Sequence, residues 1–336
     1  MDSITHIALG GLLGEVFLGK QLGKRAMVLG AIAQSLPDID FVASFWLDVP
    51  HDLLAHRGFT HSFLFVVLIS PLLAASARRW IKNSDVRFKP WILFFAAQLM
   101  IHLLLDSLNA YGTGWFEPFS HKRFSFHTIF VADPFYTTWL LIAFIVLLIL
   151  RRTNKFRTEW AIAGLILSSV YLISAFANKY NIDSDTNRIL NKQHISYLRY
   201  FTTPTPLNTL LWFIVAEDQN GYQVGHRSVF DRKDSIKFHY FPRNESLLAT
   251  FQQNEDLKLL LRFSQGYYTA EQRNDTLVFS DLRFGQRMGW DDPDSKFVFQ
   301  YYLTFPENNK LIVQRGRFAG WNAETMGKMY QRIRGN

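Results

Sequence analysis

The chain has 336 residues, a formal net charge of +8, 49% hydrophobic and 16% aromatic residues, and no cysteine. That length accommodates two domains, and the missing cysteines exclude disulfides and thiolate zinc sites. The basic balance does not point to nucleic acid: the cations before Tyr180 sit mainly in three short loops between apolar runs, a pattern of membrane orientation, so no nucleic-acid partner is expected.

Six apolar segments can be drawn in order: Ile4–Gly19, Ala26–Trp46, Phe59–Ala77, Trp91–Leu108, Ala132–Leu150 and Trp160–Asn178. A bilayer crossing takes about 20 residues. The fifth segment is a nearly unbroken Leu/Ile/Val/Phe run. The first is short and carries Glu15, and the second is broken by Pro37 and two aspartates, so alone these two also fit a soluble helical hairpin. Met1-Asp2-Ser3 lacks a basic n-region, and no cleavable signal peptide is expected.

The loops favour membrane crossings. Lys20, Lys24 and Arg25 lie in the first connection. Arg78, Arg79, Lys82, Arg87 and Lys89 lie in the third, and Arg151, Arg152, Lys155 and Arg157 in the fifth. The second and fourth connections carry only Arg57, Lys122 and Arg123. Six crossings with this alternation obey the positive-inside rule, with the odd-numbered loops cytoplasmic and both termini outside.

After Asn178 the pattern changes. Tyr180–Gln193 is polar, and Thr202–Asn208 is rich in turn residues. Alternating runs then predict strands at Leu210–Ala216, Tyr222–Phe230, Ser235–Tyr240, Thr276–Ser280, Phe297–Phe305 and Lys310–Gly316, with hairpin turns at Asp218–Gly221 and Pro306–Lys310. Leu257–Phe263 fits strand or helix, and Ala323–Ile333 a closing helix. The expected architecture is an α-helical membrane domain of about six transmembrane helices over residues 1–180, plus a C-terminal, mainly β soluble domain over residues 181–336 on the outer side.

On this topology the chemistry-bearing side chains reach one membrane face. His6 begins the first helix, Asp38 and Asp40 end the second, and His56 and His61 lie in the loop before the third. His102 and Asp106 close the fourth, four residues apart on one helical face, where they can hold one ion or simply hydrogen-bond each other. Pro37 can turn both aspartates inward, although for the pair taken alone a solvated helix end is the better explanation. Asp133 is a weaker candidate. Arg57 suits an anionic oxygen, and Thr60 and Ser62 suit helix caps. Ionisable groups at a membrane segment are costly and mark function. Four histidines and three aspartates without thiolate suit one or two divalent ions, zinc first and manganese or iron next. Such ions activate water, and no competing nucleophile motif is present. The long connection Asn109–Phe130, with its glycines and aromatics, fits a lid or an interfacial anchor.

These strings together resemble a family. Thr5-His6, Pro37-Asp38-Ile39-Asp40, His56-Arg57-Gly58-Phe59-Thr60-His61-Ser62, His102-Leu103-Leu104-Leu105-Asp106 and Tyr111-Gly112-Thr113 are similar to the bacterial membrane-bound metal-dependent hydrolases (YdjM-like inner-membrane proteins), over roughly residues 1–180. The resemblance implies a divalent-metal hydrolase of the bacterial inner membrane. The resulting expectation is a multi-pass enzyme that cleaves an ester or phosphodiester with metal-activated water. Its metal ligands are His6, Asp38, Asp40, His56, His61, His102 and Asp106, with Arg57 and Asp40 in catalytic roles. A site at headgroup level makes membrane lipids partners and a lipid or lipid-linked molecule a candidate substrate. The alternative is a non-enzymatic, metal-stabilised scaffold, binding module or metal-ion transporter.

Overall fold

The first helix, α1 (Ser3–Leu22), starts where the Asp2 carboxylate accepts the Thr5 N–H at 3.0 Å, satisfying an otherwise orphaned donor. It ends at Gly23, whose φ of 60° is readily adopted by glycine, and the chain reverses into α2 (Lys24–Ser35). The two helices touch through their backbones. A Cβ on Gly30 would stand 2.0 Å from Gly10 O, and one on Gly14 2.1 Å from Ala26 O. Small residues that admit such close approach are the usual device of helix pairs in membranes.

The computed structural model describes residues 1–81, 86–305, 309, 318 and 320–335. It divides into two units, one of Met1–Phe45 and Ala55–Ala175, the other of Trp46–Leu54 and Phe176–Asn336. In the first unit, α2 is followed after Pro37 by a 3-10 segment, Pro37–Phe45, at an angle of 54°. Proline cannot donate to the preceding turn, so the chain bends there. A short helix α3 (Val49–Ala55), assigned up to Leu54 to the second unit, and a 3-10 turn (Phe59–His61) precede α4 (Phe63–Trp80), capped by Ser62 Oγ accepting from Phe65 N. Then come α5 (Phe88–Asp106), α6 (Pro134–Ile149), capped by Asp133, and α7 (Arg157–Lys192). Trp91, Phe94 and Phe95 fill the space between α1, α2 and α4, while Leu9, Leu12, Leu140, Ala143 and Leu147 join α1 to α6.

The connections sort to two ends. Arg152 donates to Gln21 O at 3.2 Å and Lys24 to Leu148 O, so the first and fifth connections lie together. Gly114 N–H donates to Arg57 O at 2.9 Å and Arg123 to His56 O at 2.9 Å, so the second and fourth lie together. The 20 residues of α1 separate these ends by about 30 Å. Of the third connection, Lys82 lies outside the described residues.

Six crossings were expected. Among the described residues three helices, α4, α5 and α7, are long and apolar enough to span a membrane, and a fourth is added if α2 and its bent continuation count as one. The apolar α6 has 16 residues, about a turn short of a span, and α1 carries His6, Glu15 and Lys20. The sixth segment does not end near Asn178. No proline or glycine follows Gly164 before Lys192, and α7 continues through the polar stretch, with Lys179 paired to Asp183 at 3.2 Å.

The second unit carries two antiparallel sheets. One has the order β1 (Arg199–Pro204), β2 (Leu211–Glu217), β3 (Gly221–Ser228) and β4 (His239–Pro242), with Thr203 opposite Phe213 and Ala216 opposite Gln223. The other has β5 (Tyr268–Arg273), β6 (Thr276–Gln286) and β7 (Phe297–Tyr302). Phe201, Phe213, Val215, Tyr222, Tyr267 and Phe297 form its core. Leu257–Phe263 resolves as helix, within α8 (Glu255–Phe263): Leu257, Leu260 and Phe263 are buried at helical spacing behind the Asn254 cap. A last helix, α9 (Ala323–Ile333), is closed by an Asn322/Thr325 capping box. The strand expected at Ser235–Tyr240 begins only at His239. The strand at Lys310–Gly316 and most of the turn at Pro306–Lys310 lie outside the described residues.

Candidate metal centre

His102 and Asp106 lie on the last turn and a half of α5, both fully buried. The Pro37 bend brings Asp38 to them, and the 3-10 turn before α4 brings His61. One donor atom from each of Asp38, His61, His102 and Asp106 lies within 4.8 Å of all the others. His102 Nε2 and His61 Nε2 are 3.0 Å apart. Each is 3.5 Å from Asp38 Oδ1, and they stand 3.7 and 3.4 Å from Asp106 Oδ2. A tetrahedron with metal–ligand bonds of about 2.1 Å has edges of about 3.4 Å, close to these separations.

The protons make the arrangement more specific. His102 Nδ1 is 2.5 Å from the carbonyl of Gln34, which can only accept, so Nδ1 carries the hydrogen. His61 Nδ1 faces Asp40 Oδ2 at 3.3 Å and Thr60 Oγ1 at 3.1 Å, while Thr60 gives its own proton to Asp40 at 2.9 Å. His61 Nδ1 is therefore also the donor. With Nδ1 so engaged in each ring, it is Nε2 of each that points toward the other ring and toward two carboxylate oxygens. Arg57 Nε pairs with Asp106 Oδ2 at 3.1 Å, an ion pair outside hydrogen-bond geometry. Unsatisfied buried polar atoms cost about 1–3 kcal/mol each, and two Nε2 atoms facing two carboxylate oxygens are a donor set that could hold a cation. The donors fit a divalent ion: imidazole and carboxylate without sulfur, at tetrahedral spacing.

The remaining expected ligands stand around these four. Asp40 is placed as a holder. It accepts from His56 Nδ1 at 2.9 Å and Arg57 N–H at 2.8 Å, as well as from Thr60 and His61. Such a carboxylate fixes a ligand's tautomer and ring angle. His56 is one of its donors and lies at the periphery, its ring centroid 6.1 Å from that of His61. His6 stacks on His102 with centroids 3.9 Å apart and puts Nε2 3.0 Å from Asp106 Oδ1, where the Met1 amine also lies. Oδ1 is thus occupied and Oδ2 faces the histidines. His6 Nδ1 is buried without a partner. Among the described residues, the four-residue group is the one set found that could hold an ion.

Arg57 adopts φ of 60°, a left-handed conformation that a non-glycine residue keeps only under constraint. Asp40 holds its N–H, Gly114 its carbonyl, and Asn109 Oδ1 its guanidinium at 2.8 Å. Burial draws the guanidinium below its ordinary pKa, and the charges of Asp38, Tyr111 and Asp40 pull it back up. Thr60 serves Asp40 and Ser62 caps α4. Asp133 caps α6 and accepts from Tyr171 at 2.9 Å, outside the four-residue group. Arg123, in the long connection, holds His56 O and Gly112 O, and two further residues, Asn109 and Gln34, support the site without any sequence motif. Asn109 directly follows the fourth apolar segment and Gln34 precedes Leu36-Pro37, and those positions were the available signal. The long connection is ordered: Trp115 stacks on Phe124 at 4.7 Å, and its carbonyl accepts Phe63 N–H.

"Inner membrane protein YbcI" of Escherichia coli (strain K12) is 37% identical over 124 residues, 36% of this chain and 69% of that protein. "Uncharacterized protein YfhP" of Bacillus subtilis (strain 168) is 32% identical over 142 residues, 40% of this chain and 42% of that protein. No solved structure matches. The profile of the YdjM inner membrane protein family matches residues 1–182, more than half of the chain. The chain belongs to the YdjM family of bacterial inner membrane proteins.

Proposed function

We propose that this protein is a membrane hydrolase that cleaves an ester or phosphodiester bond at a divalent-metal centre formed by Asp38, His61, His102 and Asp106. The observation that carries the reading is the pair of imidazole Nε2 atoms 3.0 Å apart, each with its Nδ1 proton committed elsewhere. An ion bound there supplies Lewis acidity and an activated water. Asp40 keeps His61 in the ligating tautomer, and His6 turns Asp106 Oδ2 toward the centre. Arg57 offers a fixed positive charge to an anionic group. The ion is zinc, manganese or iron in order of preference.

Six crossings complete the reading. α6 and α7 expose apolar side chains, including Ile142, Ile145, Leu148, Ile166 and Val170, as lipid-facing helices do. The cationic first and fifth connections share one end, which the positive-inside rule makes cytoplasmic. The metal centre and the β unit then lie outside the cytoplasmic membrane. Elemental analysis of purified protein, with hydrolysis of p-nitrophenyl esters and bis(p-nitrophenyl) phosphate, tests this. Loss of both metal and hydrolysis in His102→Ala supports it, and metal-free wild-type protein that still hydrolyses refutes it.

One observation favours a second, non-enzymatic reading. Four protein ligands complete a tetrahedron, the pattern of structural ions, whereas catalytic ions keep a position open. A structural ion predicts that chelation lowers the melting temperature and that no probe is hydrolysed.

A further inference from the structure

The four candidate ligands differ in exposure. The side chains of His61, His102 and Asp106 are 0% accessible, whereas that of Asp38 is 22% accessible. Entry to the centre is therefore on the Asp38 side. Asp38 belongs to a 3-10 segment, in which residues three apart eclipse each other. Asp38 and Phe41 thus share one face and Asp40 and Ala43 another, while Ile39, Val42 and Phe45 form the third. Asp40 points in, with a side chain 6% exposed, whereas Ile39, Phe41 and Phe45 are 52, 58 and 78% exposed. The rings of Phe41 and Phe45 meet edge-on at 6.4 Å. One short segment so carries a metal-ligand candidate and, a single turn along the same face, an uncovered aromatic. Phe59, at the start of the turn that carries His61, is 47% exposed.

We infer that the ligand of this centre is a membrane amphiphile, with an anionic phosphate or phosphonate-like head at the Asp38 opening and a hydrocarbon tail along Ile39, Phe41 and Phe45. Charge permits the head: a divalent ion together with Arg57 would offset the three aspartates, so the opening would no longer repel an anion. The uncovered aromatics support the tail, because an apolar surface that begins at the site's own mouth gives a water-soluble substrate nothing to bind. The inference rests on the hydrolase reading for its chemistry. One water is consumed, its oxygen bonds to phosphorus, the bond to the alcohol oxygen breaks, and the departing alkoxide takes a proton.

The test separates binding from turnover. Full-length, manganese-loaded protein in an uncharged maltoside detergent is titrated with dodecylphosphonate and with methylphosphonate, which share a head and differ in tail. Phosphorus-31 relaxation reads approach to the ion. Tail-dependent binding about tenfold tighter or more is expected, since each buried methylene adds apolar area. Phe41→Ser with Phe45→Ser should abolish that difference and leave metal content and methylphosphonate binding unchanged. Equal binding of the two phosphonates, or a tail preference that survives both substitutions, overturns the inference. Hydrolysis of bis(p-nitrophenyl) phosphate is measured in parallel. If it is absent while tail-dependent binding persists, the hydrolase reading falls and the amphiphile site stands.

Discussion

The two ends of the helical unit both bury carboxylates, and they solve the problem differently. At the end holding the first and fifth connections, Glu15 is 4% exposed and meets Arg157, 3% exposed, in a two-point pair at 2.9 and 2.7 Å. Arg157 Nη1 donates to Leu147 O at 2.7 Å and Leu150 O at 3.0 Å, and Nη2 also meets Met27 Sδ at 3.2 Å. The charge is closed within the protein. At the other end, Asp38 and Asp106 face two imidazoles whose Nδ1 atoms are engaged elsewhere, and the one cation beside them, Arg57, reaches only Asp106 Oδ2, at 3.1 Å. One cluster is complete as it stands, while the other has the donor set to hold a cation. Buried acid in an apolar helix is therefore not itself a sign of function; what separates the cases is whether the lone pairs have partners.

Breaking each end should break different things. The largest effect belongs to the centre. His61→Ala or His102→Ala should lose the bound ion entirely on dialysis against a weak chelator, with hydrolysis at background, measured by elemental analysis and p-nitrophenyl release. Arg157→Ala leaves Glu15 buried and unpaired and should cost about 3–5 kcal/mol in thermal or denaturant unfolding, with metal content per folded chain unchanged. An Arg157→Ala protein that loses its metal while still folded would contradict the separation of the two ends.

Subtler changes sharpen the comparison. Asp40→Asn keeps the four ligand candidates but loosens the carboxylate that orients His61, and should weaken metal affinity by about 10–100-fold, read by competition with a chromogenic chelator. Gly30 lies between the ends where α1 and α2 touch. Gly30→Ala forces a Cβ into Gly10 O and should cost about 1–3 kcal/mol. Gly327, in α9, has nothing within 4 Å of an added Cβ. Gly327→Ala should leave stability unchanged or raise it by about 0.5–1 kcal/mol, because glycine is the poorer helix former.

Much of the centre was legible because its signals are local. The four-residue spacing of His102 and Asp106 puts both on one helical face, and the His56–Ser62 string concentrates donors in one turn. Which carboxylate would ligate was not legible. Asp38 and Asp40 are near-identical neighbours, and only the 3-10 bend after Pro37 decides that one meets Nε2 atoms and the other an Nδ1. The Glu15–Arg157 pair was out of reach, since its members are 142 apart in sequence and Arg157 reads as an ordinary loop cation. In the β unit, β2, β3 and β6 alternate or run apolar and were visible. β1 was hidden because it runs through Thr202-Thr203-Pro204, which reads as a turn. β5 was hidden because its second half, Glu271-Gln272-Arg273, is exposed and charged. The end of α7 was misplaced because polarity marks where a helix leaves apolar surroundings, not where it stops.

The central claim is that the two Nε2 atoms and the oxygens of Asp38 and Asp106 bind one divalent ion. X-ray absorption on the full-length protein, with metal content measured on the same sample, tests it most directly. The account predicts one ion per chain with two nitrogen and two oxygen neighbours at about 2.0–2.2 Å, and loss of that signal in His61→Ala. A metal-replete preparation that contains no ion, or one whose ion and neighbours are unchanged in His61→Ala, would contradict it.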